Sequence, residues 1–223
     1  MRTGEKIRAF YDAMLKAYGP QHWWPAQTPF EVVIGAILTQ NTNWKNVERA
    51  IVNLKRENLL NPEALAKIPT EHLAEVIRPA GYYRIKAKRL KNFIAMLVRD
   101  FGGDLDALFV LRTSALREAV LGVSGIGPET ADSIVLYAAA KPAFVVDTYT
   151  ARILYRHGVI DIDATYEDIQ SLMQDNLAED VPTFQEYHAL LVEVGKRQCR
   201  KAAPICTGCP LQPLLEDGRP VIY

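Results

Sequence analysis

Apolar residues return every three or four positions along most of this chain. The segments "IRAFYDAMLKAY", "PFEVVIGAILTQ", "WKNVERAIVNLKRE", "NPEALAKI", "TEHLAEVI", "IKAKRLKNFIAMLVRDF", "TSALREAVLGV", "ETADSIVLYAAA", "YTARILYRHG", "TYEDIQSLMQDNL" and "FQEYHALLVEVGKRQC" all carry that period, which predicts a helix at each. Strand-like alternation is scarce. Between the periodic segments lie breakers, among them Pro20, Pro25, Pro29, Pro62, Pro69, Pro79 with Gly81, Gly102 with Gly103, Gly125 with Gly127, Pro142 and Pro182. Their spacing predicts an all-α protein with short connections. No repeat of about 34 residues and no linker rich in Gly and Ser interrupts the pattern, so two lobes sharing helices fit better than separate beads.

One stretch departs from plain amphipathic helix. In "VSGIGPETADSIVLYAAAKPAFVVDTYT", residues 123–150, a helix with Leu116, Ala119, Val120 and Val123 on one face gives way to Gly125, Ile126 and Gly127. Glycines in that turn can take positive φ and let another backbone come close. Pro128 suits the first position of the next helix, so amides around Gly125 and Gly127 face outward at a positive dipole end, as in a phosphate cradle. An ordinary αα-turn would use the same residues. Some twenty residues later the apolar run "AFVV" ends in Asp147. A carboxylate there can cap the helix that starts near Thr148, stabilise positive charge and orient a water, or do both.

Composition narrows the classes. The 223 residues are 49% hydrophobic and 23% charged, which leaves no room for a disordered or fibrous reading. Formal net charge is zero, so a polyanionic partner would have to be met by local clustering. "RIKAKRLK" supplies it: Arg84, Lys86, Lys88, Arg89 and Lys91 occur without an acid, with 84, 88 and 91 on one helical face and Leu90, Phe93, Ile94 and Leu97 facing inward. Such a run is either a solvated face or a stripe that tracks a phosphate backbone. The N-terminus is charged where a secretory signal is apolar, and no apolar run approaches the roughly 18 residues of a membrane span, so a cytoplasmic protein is expected. Cys199, Cys206 and Cys209 are the three cysteines, and their clustering reads as metal ligation before disulfide bonding.

"GIGPETA" followed by "AFVVDT", together with "GAILTQNT" at 35–42, "AGYYRIKAKRL" at 80–90 and the C-terminal cysteine cluster, resembles the endonuclease III (HhH-GPD) superfamily of DNA glycosylases over nearly the whole chain. The resemblance implies an all-α fold of two helical lobes, with a helix-hairpin-helix domain over 31–133, a second lobe from 1–30 plus 134–223, and a cleft between them. It implies double-stranded DNA with a damaged base as partner, a monomer associated with the nucleoid, and base excision as activity. It makes Asp147 catalytic and sets Gly125, Ile126 and Gly127 on the DNA backbone, with Arg84 and Lys88 beside them. Gln40 matches the gap-filling glutamine, and Tyr82 matches the wedge, where relatives often carry an aliphatic side chain. Members that also nick the strand have a lysine where this chain has Glu129. A carboxylate cannot form the imine, so a monofunctional hydrolase is expected. A glycosylase-lyase for oxidised pyrimidines and a non-catalytic binder of damaged DNA are the alternatives.

Two further features concern substrate and cofactor. "TQNT" followed by Trp44, "RPAGYY" at 78–83 and a hairpin lacking lysine resemble the 3-methyladenine glycosylase branch, and "HWWPA", with Trp23, Trp24 and Pro25, adds aromatics near the presumed cleft. Indole faces attract cations, so such a pocket suits an N-alkylated, positively charged purine; the same tryptophans could simply pin the N-terminal segment. Cys199, Cys206 and Cys209 match the first three ligands of the superfamily's [4Fe–4S] loop, and the fourth position is Leu215. A cluster with three cysteine ligands is expected, with a zinc site or a metal-free loop as alternatives.

Overall fold

The computed structural model describes residues 1–222. Twelve α-helices follow one another, and no strand occurs among the described residues: α1 (Thr3–Tyr18), α2 (Pro29–Thr39), α3 (Trp44–Arg56), α4 (Pro62–Lys67), α5 (Thr70–Val76), α6 (Tyr83–Phe101), α7 (Leu105–Phe109), α8 (Thr113–Leu121), α9 (Pro128–Ser133), α10 (Thr148–Arg156), α11 (Tyr166–Asn176) and α12 (Val181–Arg197). Most begin where the breakers predict. Thr28, Asn43, Asn61, Thr165 and Asp180 each accept a hydrogen bond from an amide in the first turn of the helix they precede, satisfying a donor that the helix itself cannot. The five-residue α7 has no long periodic run and was not predicted.

The chain forms two compact units, Trp24–Lys141 and Met1–Trp23 with Pro142–Tyr223. In the first, α2 is the central rod, with every residue from Phe30 to Leu38 buried. Val47, Ala50, Ile51 and Leu54 of α3 pack at helical spacing, as do Leu90, Phe93, Ile94 and Leu97 of α6. After α9 the helix widens into one π turn, Ile134–Ala138, closed by the Ala139 amide on the Ile134 carbonyl at 3.0 Å. π turns are rare and cluster at functional sites, because the extra residue turns the following side chains to a new bearing.

In the second unit, Ile7, Phe10 and Met14 of α1 meet Phe184, Tyr187, Leu190 and Leu191 of α12, all buried. Tyr187 donates its hydroxyl to the Ile7 carbonyl at 2.7 Å, so a fully buried phenol has its partner. The apolar run 143–146 is buried and joins no sheet. Three side chains of α11 brace its backbone: Gln174 accepts from the Phe144 amide at 2.9 Å, Gln170 donates to the Phe144 carbonyl at 2.7 Å, and Tyr166 accepts from the Val146 amide at 3.3 Å.

Candidate active site and DNA-contacting residues

The braced run ends at Asp147, the N-cap of α10. Its Oδ1 accepts from the Thr150 amide at 2.7 Å and from the Thr150 hydroxyl at 2.9 Å, while Oδ2 lies 3.7 Å from His188 Nε2. Only 11% of its side chain is exposed. Burial works to raise its pKa, but the His188 imidazole and the Thr150 hydrogen bonds outweigh that and hold it below the usual carboxylate value. The result is an ionised, immobile carboxylate. Helix capping and a chemical role are thus compatible at this residue, since Oδ1 does the capping.

The hairpin turn runs as the sequence suggests, with one correction. Gly125 has φ of +94°, and a Cβ there would collide with the Arg89 side chain. Gly127 has φ of −97°, open to any residue, and a Cβ there would meet nothing. The fold therefore requires glycine at 125 and not at 127. Ile126 is buried and anchors the turn, and Gly127 is exposed. Glu129 is exposed in the first turn of α9. Gln40, the C-cap of α2, is engaged with this hairpin: its Nε2 donates to the Gly125 carbonyl at 3.2 Å and to Thr130 Oγ1 at 3.0 Å, and its Oε1 accepts from Arg89. Filling a gap in DNA would mean leaving these partners.

Tyr82 occupies the left-handed region at φ of +46° and is 68% exposed. A bulky residue held so, with its ring in solvent, is a strained projection. The basic run that follows divides. Arg84 and Lys88 are exposed. Lys86 is not: only 1% exposed, it donates to the Leu38 carbonyl at 2.8 Å and the Ala80 carbonyl at 2.7 Å, pinning the Tyr82 turn to the end of α2. Burial and then the nearby Arg89 draw its pKa down to about 8. Lys91 donates to the Leu65 and Ala66 carbonyls, and Arg89 braces the hairpin. The stripe of five cations thus reduces to two. The signal was present in the sequence, because 86, 90, 93 and 97 share a helical face.

Trp24 meets Trp44 edge-on with ring centroids 5.2 Å apart, and Tyr137 of the π turn at 5.3 Å. Gly35 of α2 makes room: a Cβ there would touch Trp24 and Trp44 at 3.4 Å. Pro25 is exposed beside Trp24. Trp23 lies under Lys196 at 5.0 Å, a cation–π contact. Tyr137 was missed in the sequence because a 3.6-residue period does not place it; His188, one histidine in an apolar helix, gave no signal.

Cys199, Cys206 and Cys209 line one cavity with Leu215. Among the described residues no three His, Cys, Asp or Glu side chains are grouped to hold a metal ion. Burial pushes the Cys206 and Cys209 thiols up, and the neighbouring cysteines push them further. Arg156, 3% exposed, donates from Nη1 to Cys199 Sγ at 3.3 Å and to the Arg200 carbonyl at 2.7 Å, while its Nε is buried without a hydrogen-bond partner. The loop thus offers three thiols and a neighbouring buried cation, one thiol short of the four cysteines that usually hold an iron–sulfur cluster.

Comparison with known proteins gives the arrangement a context. The HhH-GPD superfamily base excision DNA repair protein family matches residues 34–179. The chain is 48% identical over 209 residues to the DNA repair glycosylase candidate MJ1434 of Methanocaldococcus jannaschii, covering 93% of this chain and 94% of that one. It is 33% identical over 184 residues to endonuclease III of Thermotoga maritima, covering 82% and 81%. Among solved structures, a trapped endonuclease III–DNA covalent intermediate superposes with a TM-score of 0.84 at 26% identity, covering 98% of both chains. The H. pylori 3-methyladenine DNA glycosylase MagIII, bound to 1,N6-ethenoadenine, gives 0.76 at 30% identity, covering 88% of this chain and 98% of that one.

Proposed function

Since the chain belongs to the HhH-GPD superfamily of base excision DNA repair proteins, we propose that it is a monofunctional DNA glycosylase that removes N-alkylated purines such as 3-methyladenine from double-stranded DNA. The observation that carries this reading is an ionised Asp147 together with Glu129 at the hairpin position where strand-nicking relatives have an amine. The backbone amides at the Gly125–Gly127 turn, with Arg84 and Lys88, hold phosphates; Tyr82 props open the duplex as the damaged nucleotide turns out, at a cost of a few kcal/mol.

Trp24, Trp44 and Tyr137 are the aromatic surface for the base. A cationic alkylpurine is attracted to such faces and leaves as a neutral base, so no general acid is required. Asp147 stabilises the positive charge that develops on the sugar and orients water, whose oxygen bonds to the anomeric carbon while its proton passes to the carboxylate or to solvent. The product is an abasic site with the strand intact. Lys86 does not substitute for the missing amine, because its Nζ is tied to two carbonyls.

Cys199, Cys206 and Cys209 would hold a [4Fe–4S] cluster, with Arg156 as the neighbouring counter-charge. Such a cluster would tie the C-terminal loop to the end of α12, which Cys199 follows, and would supply no redox step to a hydrolysis. The reading is tested by base release from duplexes with single defined lesions, analysed with and without alkali. Release of 3-methyladenine with breaks only after alkali is expected; breaks without alkali would overturn the monofunctional assignment, and no release from any alkylated duplex would overturn the substrate.

A further inference from the structure

Five polar side chains in a row, residues 39–43, follow the last apolar residue of α2, and four of them are engaged within the protein. Thr39 Oγ1 donates to the Gly35 carbonyl at 2.7 Å. Gln40 is bonded to Gly125, Thr130 and Arg89. Thr42 Oγ1 accepts from Asn46 Nδ2 at 3.3 Å, and Asn43 Oδ1 accepts from the Asn46 amide at 3.1 Å. Asn41 is the exception. It is exposed, it stands in the left-handed region at φ of +52°, and among the described residues no hydrogen bond holds its side chain. Asparagine in that conformation is a common helix stop, a role that uses the backbone and leaves the side-chain amide available. Its place is fixed from beneath. Lys86 Nζ donates to the Leu38 carbonyl, three residues before Asn41, and to the Ala80 carbonyl, two residues before Tyr82. One buried ammonium therefore holds the roots of two exposed, left-handed residues, a primary amide and an aromatic ring.

Resting on the reading that Tyr82 props open the duplex as the damaged nucleotide turns out, we propose that Asn41 is the side chain that reads the base left without a partner. Extrusion bares the pairing edge of that base, and polar groups shut away from water are costly to leave unpaired. A primary amide sets an acceptor beside a donor. The pairing edges of A, C, G and T each set a donor beside an acceptor, so the amide meets any of them with two hydrogen bonds by turning over. Engagement of the orphaned base is then tolerant of its identity, and Gln40 keeps its bonds to the hairpin.

The test is binding, followed by anisotropy, to duplexes that carry a tetrahydrofuran abasic analogue opposite A, C, G, T or a second tetrahydrofuran, which presents no base. Asn41→Gly keeps the left-handed turn without steric cost and removes the amide. It should weaken binding about tenfold opposite each of the four bases, as the loss of two net hydrogen bonds, and leave binding opposite the second analogue and the melting temperature unchanged. Gln40→Ala should lower the melting temperature and weaken binding to all five duplexes alike. No loss in Asn41→Gly, an equal loss on all five duplexes, or a base-dependent loss confined to Gln40→Ala overturns the assignment and leaves the glycosylase reading intact. Wild-type protein that binds the analogue no better than an undamaged duplex overturns the extrusion reading, and the assignment with it.

Discussion

Asp147→Asn separates the cap that this side chain makes from the catalytic role proposed for it. The two hydrogen bonds from Thr150 both end on Oδ1, at 2.7 and 2.9 Å, and an asparagine keeps that oxygen. Asn and Asp are equivalent N-caps, so the cap survives; what is lost is the charge, worth about 0.3–1 kcal/mol at a helix start. The melting temperature should fall by no more than about 4 °C, given about 2–4 °C per kcal/mol at this chain length. Asp147→Ala removes the cap as well, at about 0.5–2 kcal/mol, and melts lower. Base release should respond differently: losing a preorganised charge or a water-orienting base costs about 100- to 10,000-fold, equally in both variants.

The assay is single-turnover release from an alkylated duplex, with binding measured by anisotropy on the same duplex and melting followed by circular dichroism. Asp147→Asn retaining activity within a few-fold, or losing activity, affinity and fold in parallel, would refute the reasoning. A pH series adds a sign. The folded pKa of Asp147 lies below its unfolded value of about 3.9, so its contribution to stability is full above that value and lost as pH falls through the folded pKa. Asp147→Asn should lack that portion of the acid limb.

Gly35→Leu should retain a folded helix, because glycine is the poorer helix former, yet push Trp24 and Trp44 apart; release of 3-methyladenine should fall at least tenfold with DNA affinity unchanged, and unchanged release would remove the aromatic surface from the mechanism. Lys86→Met leaves two buried carbonyls without donors, at about 1–3 kcal/mol each. Since the folded pKa of Lys86 is about 8 and the unfolded value about 10.4, the wild type gains stability as pH rises between them and the variant should not, as melts across that range will show. Glu129→Lys should make the protein trappable on abasic DNA by borohydride, and absence of an adduct would mean that the amine alone does not make a lyase. Arg84→Ala with Lys88→Ala should lower the slope of log affinity against log salt by about 2, whereas an unchanged slope would place these cations off the DNA.

The helices were legible because burial on one side writes a 3.6-residue period into the sequence, and Gly125 and Asp147 because the backbone conformation or the cap restricts residue type. The errors share a cause. Lys86 looked like one more surface cation because residue chemistry was read before register, and its companions Leu90, Phe93 and Leu97 would have placed it inside. Tyr137 and His188 were invisible because their neighbourhoods arise from a π turn and from tertiary packing, which leave no periodic trace. Gly127 was credited with a left-handed turn that Gly125 alone adopts.

That last point separates two kinds of selection on one loop. At Gly125 the protein's own atoms forbid a side chain, so a library screened for folded protein would keep glycine there. At Gly127 the fold is indifferent, and the same screen would let alanine or serine through. On the proposed reading, in which this turn holds the DNA backbone, a screen carried out on DNA should recover glycine at both positions. On that reading, the interval between the two glycines, a single isoleucine, is where the demands of the folded chain end and those of its substrate begin.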